Sequence, residues 1–165
     1  MPYDVTFKRL ETQALLDLKG PQEALGAWAG NALPPFPDRP NSKTEAGGVT
    51  LMFIGPDHWL LRADLDHEAP LETALRPAEA PPEISLVRVS DTLAWFRITG
   101  PDASEVMAVA CPMDLHDSRF GPEAASFTEA FALRALVTRC KGGFDVAVEQ
   151  SFGPMVTDCL ARITA

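Results

Sequence analysis

The sequences ALLDLKGP at residues 14–21 and AWFRITGP at residues 94–101 decide the fold. They lie 80 residues apart, and alanine, glycine and proline occupy the same positions in both. Leu16 and Leu18 of the first copy align with a phenylalanine and an isoleucine in the second. Apolar residues at every second position predict a strand with one buried face. Each stretch therefore predicts a strand that ends at a glycine, and the constant offset predicts a duplicated unit.

The Gly-Pro pair after each strand predicts the start of a helix. The backbone N–H at the first helical position has no partner within the helix, so proline, which lacks an N–H, is well tolerated there. Prolines also end both helices, at Pro34-Pro35 in the first copy and at Pro112 in the second. Apolar residues recur between these points at helical spacing. They are Leu25, Trp28, Ala29 and Ala32 in the first copy, and Ala103, Val106, Met107 and Ala110 in the second.

A hairpin and a second helix follow in each copy. Alternating apolar residues on both sides of a glycine-containing turn predict the hairpins. The helix over 152–163 has apolar residues along one face, with Ser151 as its expected N-cap, whereas the helix over 70–76 has a weaker pattern. The predicted hairpin strands are 49–54 with 58–63, joined through Gly55-Pro56-Asp57, and 126–140 with 144–149, joined through Lys141-Gly142-Gly143.

These patterns predict an α+β fold built from a duplicated β-α-β-β-α unit, mainly antiparallel sheet with helices packed on it. The pseudo-repeats cover about 14–89 and 93–165, and 84–89 forms a strand that joins them. We expect both repeats to share a single domain over 1–165. The proline-rich segments 34–40 and 76–82 are expected to be connecting loops.

The composition is that of a globular chain, with 46% hydrophobic and 22% charged residues, which excludes disorder, collagen and coiled coil. Fourteen Lys and Arg residues against 23 Asp and Glu give a net charge of −9, which disfavours a nucleic-acid partner. The start of the chain lacks the apolar segment of a signal peptide, and no apolar run approaches the roughly 20 residues of a membrane span. We therefore expect a cytoplasmic protein.

Few residues suggest chemistry. No nucleotide-binding glycine motif and no nucleophile elbow is present. Cys111, Cys140 and Cys159 include no C-x-x-C pair, so we interpret them as small buried side chains, with a zinc site or redox pair as the alternatives. The histidines His58 and His67 have no histidine three or four residues away, the spacing that would suggest a metal site.

Three other features allow a functional interpretation as well as a structural one. His116 lies between Asp114 and Asp117, which could hold its ring for acid–base work; a hydrogen-bonded surface histidine is the alternative. The acidic residues Asp64, Asp66 and Glu68 could bind a cation weakly but lack the spacing of a calcium loop. The three tryptophans are expected in the core, with anchoring of a partner as the alternative. They are Trp28, Trp59 and Trp95.

Four segments together resemble a known family. Residues 54–61, IGPDHWLL, resemble the LGPDEWLL stretch of the gamma subunit of heterotetrameric sarcosine oxidase, and 98–103, ITGPDA, resemble its LSGPDA segment. Residues 111–116, CPMDLH, are similar to its CPLDLH, and 150–153, QSFG, to its RSFA. The resemblance covers nearly the whole chain in order and predicts one gamma-like domain over 1–165.

This resemblance implies a fold like that of the folate-binding part of the glycine-cleavage T-protein. It also implies a subunit without cofactor, metal or catalytic residues of its own, in a complex that demethylates sarcosine oxidatively to glycine. The products are hydrogen peroxide and either formaldehyde or methylenetetrahydrofolate. The partners would be the alpha, beta and delta subunits, which would hold FAD, FMN, NAD, tetrahydrofolate and zinc.

Two positions depart from the family pattern. Arg88-Val89-Ser90 stands where relatives often have DVS, which weakens the case for a folate role. Gln150 replaces the usual arginine, so a salt link expected there is lost. Two alternatives remain beside the subunit reading: a free-standing folate-binding protein of the T-protein type, and an adaptor domain without chemistry.

Overall fold

The computed structural model of the chain describes residues 3–164. Its helices and strands fall into two compact units, residues 12–91 and residues 3–11 with 92–164. The elements follow in the order β1 (Thr6–Arg9), β2 (Gln13–Lys19), α1 (Gln22–Ala29), β3 (Lys43–Ala46), β4 (Val49–Gly55), β5 (His58–Asp64), α2 (Glu68–Leu75), β6 (Ser85–Arg88), β7 (Leu93–Thr99), α3 (Ala103–Ala110), β8 (Ala125–Ala130), β9 (Leu133–Cys140), β10 (Gly143–Glu149) and α4 (Gly153–Ile163).

The unit over 12–91 contains a five-stranded antiparallel sheet in the order β3-β4-β5-β2-β6. The apolar alternation of β2 places Leu16 and Leu18 on the face that packs with α1 and α2. Burial of this face supplies the hydrophobic stabilisation of the unit. Its core also contains Leu25 of α1, Trp59 and Leu61 of β5, and Leu71 and Leu75 of α2.

The second unit has the same architecture. Its sheet runs in the order β1-β7-β10-β9-β8, again antiparallel throughout. Phe96 and Ile98 of β7, the counterparts of Leu16 and Leu18, pack in a core with Met107 of α3 and Leu160 of α4. The duplicated α+β fold predicted from the 80-residue offset is therefore confirmed. That the two repeats form a single domain stays a prediction.

The duplication extends to individual backbone hydrogen bonds. The Gly20 N–H donates to the Asp57 carbonyl at 3.0 Å, and the Gly100 N–H donates to the Gly142 carbonyl at 3.1 Å. In each unit this bond joins the end of the strand before the first helix to the turn of the central hairpin. The Gly-Pro signal therefore marks the same corner twice.

One predicted strand is wrong. Residues 126–140 do not form a single strand, because the chain turns at Phe131 and Ala132 and pairs β8 with β9 as an additional hairpin. Both residues have positive φ, at 54° and 60°. A two-residue hairpin turn of the I′ type requires positive φ at both central positions, and glycine or asparagine usually supplies it. The sequence has neither there, so the alternation appeared continuous.

The helix starts also differ from expectation. Helix α1 begins one residue after Pro21, and α3 begins at Ala103, two residues after Pro101. Ser151 is not the N-cap of α4, because Phe152 occupies that position and the Ser151 hydroxyl donates to Glu149 Oε1 at 2.7 Å. The closing helix of the first repeat, expected over 70–76, forms as α2 from Glu68 to Leu75.

Two short strands, β1 and β3, were not predicted. The segment 84–89, expected to join the repeats, instead contributes β6 to the sheet of the first unit by pairing with β2. In the described part of the chain, no helix is long and apolar enough to cross a membrane.

Candidate functional site

A concave surface lies in the second unit, on the outer side of α3. Its volume is about 510 Å³. Helix α3 contributes one wall, and residues 111–117, which hold the CPMDLH sequence, contribute the other. We call it the α3 groove. It is lined by Ser104, Glu105, Ala108, Cys111, Pro112, Met113, Asp114, Leu115, His116 and Asp117.

Arg139 of β9 fixes the segment that forms the second wall. Its guanidinium donates to the Leu115 carbonyl at 2.6 Å and to the Phe120 carbonyl at 2.8 Å, and lies 2.9 Å from Asp117 Oδ1. The same group stands over the Phe144 ring, 4.2 Å from its centroid. A planar guanidinium can serve several acceptors and an aromatic face at once. Residues 111–120 are thereby tied to the sheet.

The ring of His116 contacts a serine rather than the two flanking aspartates. Its Nδ1 contacts Ser118 Oγ at 2.9 Å. Asp114 accepts a hydrogen bond from the His116 backbone N–H at 3.0 Å, so its carboxylate binds the backbone rather than the imidazole ring. Asp117 pairs with Arg139. The expectation that both aspartates hold the imidazole is therefore wrong, and the bonds at His116 support the structural alternative.

The thiols differ in burial, and Asp66 and Glu68 have local partners. Cys111 is buried in the core of the second unit as expected, whereas Cys140 and Cys159 are only partly buried, so the expectation is wrong for these two; all three are free thiols. Glu68 turns toward Ser90 and Arg88, and Asp66 accepts from His67 Nδ1 at 2.9 Å, so the acidic run does not converge. Among residues 3–164, no three His, Cys, Asp or Glu side chains come together as metal ligands would.

All three tryptophans are buried or partly buried. Trp59 and Trp95 are buried, as core packing requires. Trp28 is only partly buried; its Nε1 donates to the Leu75 carbonyl at 2.6 Å, and the Arg76 guanidinium lies 4.3 Å from its ring centroid. This contact ties α1 to the end of α2.

An ion pair between a buried aspartate and a partly exposed arginine in the second sheet was not predicted. Asp145 is 2% exposed and stands directly opposite Arg97 across β10 and β7. The pair is bidentate, with Arg97 Nε donating to Asp145 Oδ1 at 2.7 Å and Nη2 donating to Oδ2 at 2.9 Å. The hydrogen bonds to this carboxylate raise the pKa of the Arg97 guanidinium further above its usual range. An aspartate within an apolar alternation was the available clue.

The hydrogen bonds of Ser90 give the RVS segment, residues 88–90, a structural role. It accepts from the Leu15 N–H at 3.1 Å and donates its hydroxyl hydrogen to Glu68 Oε2. Arg88, the residue that departs from the family pattern, extends toward Glu68 and Glu72, at 3.6 and 3.5 Å. The segment fastens the β6 side of the sheet to α2.

Two sheets of this order, each with two helices, define a fold of the T-protein type. The chain matches aminomethyltransferase T of the glycine cleavage system from Bartonella henselae with a TM-score of 0.68 and 14% identity, covering 95% of this chain and 45% of that one. It matches a chain of the heterotetrameric sarcosine oxidase from Corynebacterium sp. U-96, in complex with pyrrole 2-carboxylate, with a TM-score of 0.77 and 24% identity. That match covers 98% of this chain and 86% of the other.

The sequence is similar to one particular protein. Over 95 residues it is 30% identical to the sarcosine oxidase subunit gamma of Corynebacterium sp. (strain U-96), a match that covers 58% of this chain. The match spans about half the length of that relative, 45% of it. No family model matches the chain. The resemblance carried by the four short segments is thereby confirmed as a similarity to that subunit.

Proposed function

We propose that this chain is a non-catalytic subunit of a multisubunit sarcosine oxidase. The observation that carries the proposal is the agreement of two comparisons: the fold match over 98% of the chain and the sequence match of 30% both lead to the same Corynebacterium enzyme. In this proposal the chain assembles with alpha, beta and delta subunits that bind FAD, FMN, NAD, tetrahydrofolate and zinc. The complex oxidises sarcosine to glycine in the cytoplasm.

The geometry of the α3 groove supports a non-catalytic role. Two of the carboxylates there are engaged within the protein, since Asp114 accepts from the residue 116 backbone N–H and Asp117 pairs with Arg139. A general base needs a free acceptor aimed at substrate and a partner that orients it. The His116 ring instead contacts Ser118, two residues along the same loop.

Co-purification tests the proposal. The chain would be tagged in its native host and purified under mild conditions, and the eluate examined for flavin absorbance and for the mass of each bound chain. The proposal predicts a stable complex that contains flavin and larger subunits. A tagged chain that elutes without any flavoprotein would contradict it.

A second candidate is a free-standing folate-binding protein. The observation that favours it is the α3 groove itself, whose volume is within the range of small-ligand sites and whose lining includes the carboxylates of Glu105 and Asp114. Calorimetric titration of the purified chain with tetrahydrofolate separates the two. Saturable binding at micromolar ligand favours the folate-binding protein, whereas the absence of heat favours the subunit.

A further inference from the structure

Helix α3 presents an unusual outer surface. Its inner side, with Ala103 and Met107, is buried in the core of the second unit. Its outer side is small and apolar: Ala108 is exposed, and Val109 is 78% exposed, the largest value among the exposed large hydrophobic side chains. An exposed apolar surface beside a concave one is typical of a protein interaction site.

Negative charge is in excess around this surface. Glu105 lies one turn before Ala108 and Val109 on the same helix face, and Asp114 stands on the opposite wall of the α3 groove. Asp117 also lines the groove, but its charge is balanced by Arg139. The lining of the groove therefore combines the apolar residues Ala108, Pro112 and Met113 with the carboxylates of Glu105 and Asp114.

We infer that the α3 groove binds a segment of a partner subunit in which a lysine or arginine flanks an aliphatic side chain. The aliphatic group would pack on Ala108 and Met113, and the cation would face Glu105 and Asp114. Complementary charge of this kind selects partners and orients them at an interface. This inference rests on the proposed function, because the occupant is one of the larger subunits of the same complex.

The duplication supplies matched controls. Ala27 is the sixth residue of the eight-residue helix α1, as Ala108 is of α3, and both are exposed. Glu23 is the exposed acidic residue in the first turn of α1, as Glu105 is in the first turn of α3. Glu23→Lys and Ala27→Arg therefore make the same chemical changes as Glu105→Lys and Ala108→Arg, at helix positions of similar exposure.

The experiment compares the flavin retained by each tagged variant in the native host, with circular dichroism to establish that each is folded. We expect Glu105→Lys and Ala108→Arg to retain at least about tenfold less flavoprotein than wild type, and the two α1 variants to stay within about twofold.

Full retention by both α3 variants would overturn the inference while leaving the proposed function intact. A wild-type chain that retains no flavoprotein would overturn both. Saturable tetrahydrofolate binding that Glu105→Lys abolishes would also overturn the inference, because the groove would then be a small-molecule site.

Discussion

Gly100 lies so close to Asp4 that a Cβ on the glycine would be 2.6 Å from the Asp4 carbonyl oxygen. Its φ is +132°, a value that side chains rarely adopt. Gly20 repeats the relationship in the other unit, with φ +127° and 2.7 Å to the Glu83 carbonyl oxygen. The glycine of each Gly-Pro pair therefore allows the edge strand to approach the corner.

Replacement of Gly100 by alanine should lower the free energy of unfolding by about 2 to 3 kcal/mol, because backbone strain and steric contact act together. Urea denaturation measures this loss. Gly30→Ala is the control: its φ is +56°, but no atom lies within 4 Å of the added Cβ. It should cost about 1 kcal/mol. Equal losses in the two variants would show that the approach to Asp4 is unimportant.

The pair Arg97–Asp145 should be strongly coupled. Arg97→Met removes two guanidinium hydrogen bonds from a buried carboxylate and should cost about 2 to 3 kcal/mol, less than for a fully buried pair because Arg97 is partly exposed. The double variant with Asp145→Leu should cost less than the two single variants summed. Additive losses in this double-mutant cycle would contradict the coupling.

The pH dependence of this pair follows from the Arg97 pKa. Since the folded-state pKa is raised, the stabilisation is fully present below the unfolded-state pKa and is lost only in strong alkali. The loss caused by Arg97→Met should therefore be the same at about pH 6 and about pH 9 when measured by urea denaturation. A loss that changes between these two values would mean that another group titrates with the pair.

Arg139→Met should loosen one wall of the α3 groove. Two backbone carbonyls and Asp117 lose their donor, which should cost about 2 kcal/mol. Hydrogen exchange should rise over residues 111–120 and stay unchanged over 12–91. Arg134→Met is the control, since Arg134 is exposed and lies over Phe127 on the adjacent strand. Unchanged exchange at 111–120 in Arg139→Met would show that the sheet does not hold this segment.

Ser90→Ala should destabilise the unit over 12–91. The change removes the acceptor of the Leu15 N–H and a donor to Glu68, both at a site that is 7% exposed. We expect a loss of about 1 to 2 kcal/mol by thermal or urea denaturation. Ser85→Ala, at an exposed position on β6, should change stability by less than about 0.5 kcal/mol. Equal effects would remove the structural role assigned to the RVS segment.

The sequence correctly predicted those strands and turns that are determined by residues close together in the chain. The alternation of β2 and β7 and the Gly-Pro corners revealed the duplication, and the hairpin of β4 and β5 was recognised from its turn. The elements that were not predicted share one cause. Each depends on residues far away in the sequence or on a turn formed by atypical residues. Strand β1 has four residues and forms only by pairing with β7, some 90 residues away. The turn at Phe131 adopts positive φ without glycine.

Functional roles were harder to predict because they depend on side-chain direction. Spacing placed two aspartates beside His116, but the fold turns one to the backbone and the other to Arg139. Arg139 itself lies 24 residues from Leu115, and no motif links them. The pairing of β7 with β10 likewise brought Arg97 to Asp145 across 48 residues.

Sarcosine oxidation by the assembled complex tests the central claim most directly. The chain would be tagged and purified from its native host, sarcosine added in air, and hydrogen peroxide, formaldehyde and glycine measured. One sarcosine, one oxygen and one water should give one of each product, at a rate that follows the amount of flavin retained by this chain. A purified sample that holds no flavin and releases no peroxide on addition of sarcosine would contradict the account.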